Sequence, residues 1–569
     1  MVQDAIVFGF LLVAILAAGL AGRLRGGTVA ERFVAKRQLS WLTLGASMAA
    51  AQISADTPLL VAGAVYADGL AGNWFWWISA PGVLATLFFF APLWRRSGVL
   101  TDVEIIKLRY GDTGLARAFR IFKAIADGFI VNALVLASNL YAFTLLLQAV
   151  FKQQPGLVGI DLATLVSTAF LAVAVLFVGL AGFRGLVRAN TLEFILAILS
   201  SGVLAAFAVS GLPHGLESLK GLTTYHGHAS PLNVLPTEGT LSVIILLGLG
   251  WWHSAPGHTM LVQRMVASRD EREAGLTVMS FSIFHYLLRP WGWYLIGAAA
   301  LYYWPHLGQS EQALPTAARA LLPSSLFGLI AASVALSFLG CVNSRLNLGA
   351  TYLVNDVAKV ILPSLSAMGA RIVEIVATLT LALFVFAIAS GHLLSSIRGL
   401  YQFLIMMMAG TGFVSIARWY WSGTTIKSEM ASYASAVIVA GLTLAFTNIQ
   451  KLPDFAIMSG VNFLIGGAMT VAVAKLWPQR DLDATEAFYR NVQPQGAGWN
   501  GYHTGASAGL GRMAWKWALS NITLFSAIFL IVNLIAGRFA IAAALTVMAV
   551  AAGLVLSRGR KASQTSTVT

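Results

Sequence analysis

Apolar residues in this chain come in runs of about twenty, separated by short polar stretches. Lipid offers no partner for loose backbone N–H and C=O groups, so runs of that length predict helices that cross a bilayer. Fifteen spans are predicted, at 6–21, 41–66, 74–94, 124–150, 162–182, 188–210, 241–262, 277–302, 326–354, 370–390, 397–419, 433–447, 455–476, 519–536 and 539–556. The twelfth is short. No soluble domain interrupts them. The longest loop on one side, 211–240, is polar and contains Gly and Pro; the longest on the other, 478–518, carries Phe488-Tyr489-Arg490 and a Gly-rich stretch ending at Gly511.

Composition narrows the class. Of 569 residues, 58% are hydrophobic and 11% charged, whereas a soluble protein would carry about 25% charged residues to keep its surface wetted. The chain reads as an all-α polytopic membrane protein. A formal charge of +14 raises the question of a nucleic-acid partner, and the placement of the charges argues against one. With the N-terminus outside and the spans alternating, 29 of the 37 lysines and arginines fall on one side and 6 on the other, with Arg289 and Arg345 inside spans. Cytoplasmic loops carry such an excess, so the predicted topology is N-outside, C-inside, with an odd number of spans. The tail Arg558-Gly559-Arg560-Lys561 meets the negative inner leaflet, making membrane lipids partners. The single cysteine, Cys341, can form no intrachain disulfide. Only Asp4 precedes the first run, with no basic n-region, so that run is read as a retained span.

Five segments occur in an order that matters. They are 45–57 (Gly-Ala-Ser-Met-Ala-Ala-Ala-Gln-Ile-Ser-Ala-Asp-Thr), Thr101-Asp102-Val103-Glu104 leading to Arg109-Tyr110-Gly111, Gly182 to Glu193, Gln263-Arg264 with Ala274, and Asn347 to Asp356. In register they cover most of 40–420, and the chain resembles the sodium/solute symporter family, with its sodium/galactose- and sodium/proline-type transporters and LeuT-like fold. A narrower resemblance, to bacterial members, rests on His285-Tyr286-x-x-Arg289-Pro290-Trp291 and on Phe488-Tyr489-Arg490 with Gly496-x-Gly498-Trp499. The resemblance implies two inverted five-helix repeats, at 41–210 and 241–420. Around them stand an N-terminal span and linker (1–40), four accessory helices (421–557) and a cytoplasmic tail (558–569), in a bacterial inner membrane. It also implies solute and ion sites near the midplane, where broken helices expose carbonyls and helix ends. The residues support a break independently: 50–55 is small and polar at bilayer depth, and Asp56 follows. An ionisable residue there usually faces a wet cavity; the alternative is an Asp56 solvated near the outer mouth.

By the same resemblance, the common sodium site uses carbonyls at Ala50, Ile53 and Ser337 and two hydroxyl side chains that align with Gly340 and Cys341. Sodium is hard and wants oxygen. Glycine has no side-chain oxygen and a thiol is soft, so the inherited site is two oxygens short. An acid common in the family aligns with Thr191, which weakens sodium coupling further; Asn190 and Glu193 are candidates to compensate for it, though the resemblance itself does not assign them that part. Arg345 is four residues after Cys341 on the same helix face. Helical side chains lean toward the N-terminus, which aims this guanidinium at the vacated ion position. It is therefore a candidate tethered cation, and transport would then be sodium-independent or proton-coupled. Alternatively Arg345 snorkels to the inner interface and sodium binds through carbonyls, Asn343 and water. No cofactor is implied beyond that ion.

The aligned substrate positions are Gln52, Thr57, Trp76, Ser79, Trp251, His253, Tyr286, Tyr401 and Gln402, and Asp56 joins them as an ionisable residue at bilayer depth. Galactose-type contacts are not inherited at Trp76 and Tyr286, where the family's sodium/galactose members have an acid and a lysine. The aromatic set suits stacking on a sugar ring or a planar metabolite; tryptophan at span ends is also a common interfacial anchor. Asn132 and Asn139 lie two turns apart on one face, with Asp127 rotated away. His285 and Arg289, four apart beside the kink-forming Pro290, are either a proton-coupling device or a structural pair on the freed backbone. The nine histidines are scattered, His253 and His258 lack a third partner, and no nucleophile elbow, phosphate loop or zinc spacing occurs; the chain is not read as an enzyme. A transporter-like sensor is the third reading, one whose output domain would be a separate protein.

Overall fold

The computed structural model describes residues 2–22, 35–151, 161–228, 230–236, 239–257, 259–323, 326–390, 396–449, 451–478, 482–502 and 509–565. Arg23, Arg25 and Arg32 of the predicted linker, His258 and Arg480 lie outside them, as do parts of loop 478–518 and of the tail. The described residues are helical apart from turns, loops and isolated bridge residues, among them the pair Leu39 and Ser268.

Among the described residues ten helices are long and apolar enough to cross a membrane, or eleven if the bent pair Trp41–Ala51 and Asp56–Asp68 is one span. This is fewer than the fifteen predicted. Three predicted spans are shorter apolar helices, Ile6–Ala21, Leu162–Val178 and Thr240–Ser254. Another, 277–302, is divided at Arg289-Pro290 into Glu271–Ser282, a π turn and Trp291–Tyr303. The twelfth, Ile426–Phe446, starts earlier than the apolar run suggested, because a capping box of Thr425 and Ser428 opens the helix seven residues before the run begins. Large apolar side chains such as Phe10, Leu383 and Phe446 stand exposed around the bundle. That is how a lipid-facing belt looks without its lipid, and the protein is an integral membrane protein.

Two of the interruptions in the helices frame the cavity described below. Trp41–Ala51 and Asp56–Asp68 meet at 66°. The first half is built from small residues, and a Cβ on Gly45 would fall 1.9 Å from Ser280 Oγ, so this half lies directly on Glu271–Ser282. The backbone groups freed at the break find partners. Ala55 N–H donates to Asn139 Oδ1 (2.6 Å), Ile53 N–H to the Ala50 carbonyl (2.7 Å), and the Ala49 carbonyl accepts from Arg289 Nη1 (3.1 Å). The second interruption runs from a π turn at Leu246–Gly250 through Trp251–Ser254 to Gly257. There Ser254 Oγ donates to the Ser79 carbonyl at 3.0 Å, and Trp94 Nε1 to the Pro256 carbonyl at 2.8 Å.

The motif residues near the basic face tie the bundle together. Asp102 accepts from the Thr259 backbone N–H (2.8 Å) and from the Tyr352 hydroxyl. Asp356, fully buried, accepts from Thr101 Oγ1 (2.7 Å) and pairs with Arg120 (2.6 Å). Arg109 donates to the carbonyls of Arg418 (3.0 Å) and Ser422 (2.8 Å), and its guanidinium lies 5.4 Å from the Phe488 ring and 5.2 Å from the Trp499 ring. Trp499 Nε1 in turn donates to the Trp419 carbonyl at 2.8 Å. The Phe488–Trp499 motif is therefore a plug that fastens helix Leu482–Val492 beneath the bundle.

Candidate functional site

A cavity of about 340 Å³ opens beside the first break. One wall is aromatic: the Trp76 and Tyr286 rings stack at 5.5 Å and 14°, and His285 meets both edge-on. Trp76 is fixed by its own hydrogen bond, Nε1 to Asn73 Oδ1 at 2.8 Å. Polar tips face this shelf. Ser79 Oγ and His253 Nε2 are 3.1 Å apart, His253 Nδ1 lies 2.5 Å from the Gly250 carbonyl, and Thr57 Oγ1 donates to the Gln52 carbonyl at 3.1 Å. The lining continues past Arg345 and Asn132 to Lys123, Asp127, Arg418 and Tyr433 at the basic face. Phe75, at the other end, is covered by the Arg398 guanidinium, which pairs with Asp68 at 2.5 Å.

The cavity brings together Gln52, Thr57, Trp76, Ser79, His253, His285, Tyr286, Arg345 and Tyr401 of the predicted set. Three residues stand apart. Asp56 is fully buried behind the break, where it accepts from Ser54 Oγ, Ser138 Oγ (2.9 Å) and the Tyr401 hydroxyl (2.9 Å). Trp251 stacks on Trp252 at 4.9 Å and packs on Trp517 of the accessory helix Gly509–Ile535. Gln402 is fully buried outside the lining, and neither of its amide atoms has a partner among the described residues. Asp127 corrects a sequence expectation, since it lines the cavity with Asn132 instead of pointing elsewhere. It lies in the π turn Ala126–Val131, and a π turn shifts the register on which helical faces are counted.

Around the expected ion position, Ala50, Ile53, Ser337, Gly340 and Cys341 are all buried. Arg345 lies against the Cys341 thiol within hydrogen-bonding reach, and Ser54 reaches the same sulfur. Its Nη1 also donates to Asn132 Oδ1 at 3.2 Å, while Asn132 Nδ2 donates to the Arg345 carbonyl at 2.9 Å. Beside Gly340 stands the carboxylate of Glu193: a Cβ built on that glycine would fall 2.0 Å from Glu193 Oε2. Sequence reasoning gave Glu193 no defined place and missed the Arg289 bond to Ala49, because both contacts join residues more than a hundred positions apart.

Comparison with known proteins gives a consistent picture. The solved structure of a Na+-coupled sialic acid symporter, substrate-bound and outward-open, shares the fold with a TM-score of 0.66 at 15% identity, covering 84% of this chain and 98% of that one. The uncharacterized symporter YidK of Escherichia coli K12 is 23% identical over 351 residues, 60% of each chain. Sheep sodium/glucose cotransporter 1 is 26% identical over 235 residues, 40% of this chain. The match spans only 32% of the sheep protein's length, and 33% of the zebrafish sodium/glucose cotransporter 4. A sequence model of the sodium:solute symporter family matches residues 32–420, a stretch that holds both interrupted helices and every cavity residue up to Arg418. The chain belongs to the sodium:solute symporter family.

Proposed function

We propose that this protein is a secondary active transporter that carries a small hydroxylated or ring-bearing solute, such as a sugar, by alternating access and coupled to a cation. The observation that carries this reading is the cavity between two interrupted helices, with an aromatic shelf on one side and hydrogen-bonding tips on the other. A shelf of that kind gives a sugar's apolar ring face a stacking partner while Gln52, Ser79 and His253 meet its hydroxyls. Sugar as the class is further supported by the kinship with sodium/glucose cotransporters. The basic face is taken as cytoplasmic, so the cavity is closed outside over Phe75 and lined inward. Helices 41–210 and 241–420 are read as the two inverted repeats, each with its own break. Family membership favours a carrier over a membrane enzyme.

Within this reading Arg345 takes the role of the coupling sodium. Its position against Cys341 and Ser54 supports that role, because a guanidinium there supplies the positive charge between the broken helix and helix Leu326–Tyr352. Family kinship still makes sodium the alternative ion. Purified protein is first screened by thermal shift over sugars, amino acids and carboxylates, since a ligand that binds the folded state raises the melting temperature. Uptake of the hit into proteoliposomes is then measured with sodium replaced by choline. Unchanged uptake is expected, with loss of about tenfold or more in Trp76→Ala and Arg345→Ala, a transition-state cost of about 1.4 kcal/mol. A steep sodium requirement in the wild type sinks the tethered-cation role; absence of uptake for every binding solute sinks the carrier.

A further inference from the structure

Arg289 is a charge in the cavity wall with no ion-pair partner among the described residues. It is 3% exposed, lines the cavity, and lies four residues beyond His285, the ring that meets both Trp76 and Tyr286 edge-on. Its contacts are all neutral. Nη1 donates to the Ala49 carbonyl at 3.1 Å, Nη2 faces His285 Nε2 at 3.5 Å, and the guanidinium carbon lies 5.4 Å from the centre of the Trp293 ring. Nε has no partner among the described residues. A guanidinium only donates, so the His285 nitrogen that faces it is the ring's acceptor and the ring proton belongs on Nδ1, which also lacks a partner there. Two enclosed N–H donors beside the aromatic shelf are therefore short of an acceptor.

The charges at this depth do not balance. Asp56 acts on Arg289 only at a distance, its oxygens being taken by the hydroxyls of Ser54, Ser138 and Tyr401. Arg345, the second guanidinium of the lining, is held by Asn132 and Cys341, and it acts on Cys341 and Tyr401 together with that same Asp56. Two positive charges thus share one negative charge. The other charges along the cavity lie toward the basic face and are matched or bonded there. Lys123 pairs with Asp127 at 2.7 Å and Arg418 with Glu429 at 3.1 Å, while Asp102 accepts from the Thr259 N–H and the Tyr352 hydroxyl. An intramembrane cation without its counter-ion is costly, and orphaned buried donors call for an acceptor. An anion in the cavity answers both.

We propose that the solute is a ring-bearing carboxylate, such as a sugar acid, with its ring on the Trp76–Tyr286 shelf and its carboxylate held by Arg289 and His285. This rests on the carrier reading and narrows its solute class. A carboxylate brings two acceptor oxygens to the two orphaned donors, and a charge-assisted bond to a guanidinium is stronger than one between neutral groups. Both N–H groups are enclosed by the wall, so the arriving carboxylate turns the Arg289 guanidinium toward the cavity. The single surplus positive charge fits a monoanion. A phosphate ester, which carries about −1.5 to −2 at neutral pH, would overshoot it.

Binding to the purified full-length protein is measured by calorimetry with matched probes that differ in the charge of one group: glucose and glucuronate, galactose and galacturonate, benzyl alcohol and benzoate. At least one acid is expected to bind about tenfold or more tighter than its neutral partner. Arg289→Gln should remove that preference, whereas Arg289→Lys, which keeps the charge, should retain most of it. Trp76→Ala should weaken the acid by a similar factor, which separates binding on the shelf from binding at the basic face. Glucose 6-phosphate should bind more weakly than glucuronate. The proposal is overturned if no acid binds, if every acid binds no tighter than its neutral partner, or if the phosphate ester binds tighter than the acid. It is equally overturned by an acid preference that survives in folded Arg289→Gln or an acid affinity indifferent to Trp76→Ala. Should Arg289→Gln not fold, the wild-type ratios and Trp76→Ala decide. An acid bound in this way but not taken up by proteoliposomes strikes the carrier reading and leaves the carboxylate site standing.

Discussion

At the residue scale, the break in the first helix depends on side chains that come from elsewhere in the fold. Asp56 is the centre of this arrangement, gathering hydroxyls from its own turn, from Ser138 and from Tyr401. An acid in the first turn of Asp56–Asp68 is also favoured by that helix's dipole. Asp56→Asn turns one acceptor oxygen into a donor facing hydroxyls, leaving at least one buried group unmatched. Hydrogen bonds to a charged group are worth about 1.5–3 kcal/mol each, and a loss of that order is expected in detergent unfolding. Tyr401→Phe removes a single donor and should cost about 1 kcal/mol. Because both changes touch the same bond, the double variant should lose less than the sum. Additive losses would mean that the Tyr401–Asp56 contact contributes nothing.

Among elements, helices Ile397–Tyr420 and Leu452–Leu476 come into backbone contact. A Cβ on Gly466 would lie 1.8 Å from the Gly410 carbonyl oxygen, so the two backbones touch there. Gly466→Ala must push the helices apart, at an expected cost of about 1–3 kcal/mol. Its neighbour Gly467 would meet only Phe413 side-chain carbons at 3.5 Å or more, so Gly467→Ala is the matched control and should be near neutral. Equal melting temperatures for the two variants would contradict the packing. Helical class and the place of the break were legible because both are local: long apolar runs, and a small polar stretch ending at Asp56. The facing of particular side chains was less so. Trp251 comes directly after one π turn and Asp127 sits in another, and each such turn carries an extra residue that rotates the next stretch of helix by about 100° relative to a regular one. Partners distant in sequence, such as Glu193 for Gly340, had no local signature at all.

For the whole molecule, the question is what keeps the cavity shut on one side while its lining reaches the other. Loop residues Tyr225 and His226 donate backbone bonds to the carbonyls of Tyr66 and Ala67, and Asp68 then binds His226 Nδ1 at 2.7 Å and Arg398 at 2.5 Å. Arg398 and Tyr401, one turn apart, thus tie both ends of Asp56–Asp68 to the same neighbouring helix, over Phe75. The hydrogen bond to Asp68 raises the His226 pKa above its ordinary value. A proton held more tightly in the clasped form stabilises the clasp fully below the free imidazole's pKa, and that contribution is lost as pH rises through the raised value. Alkaline conditions on this face should therefore loosen the cover over Phe75. The size is modest, since His226 is about half exposed and exposed pairs contribute about 0.2–1 kcal/mol, or up to about fivefold in an equilibrium. Maleimide labelling of Phe75→Cys, with Cys341 replaced by Ser, reads the cover directly. Thiolate formation alone speeds labelling as pH rises, so the same cysteine in a His226→Gln background supplies the baseline. The ratio of the two rates should climb with pH when His226 is present; a ratio that stays constant would mean that Arg398 alone holds the outer end closed.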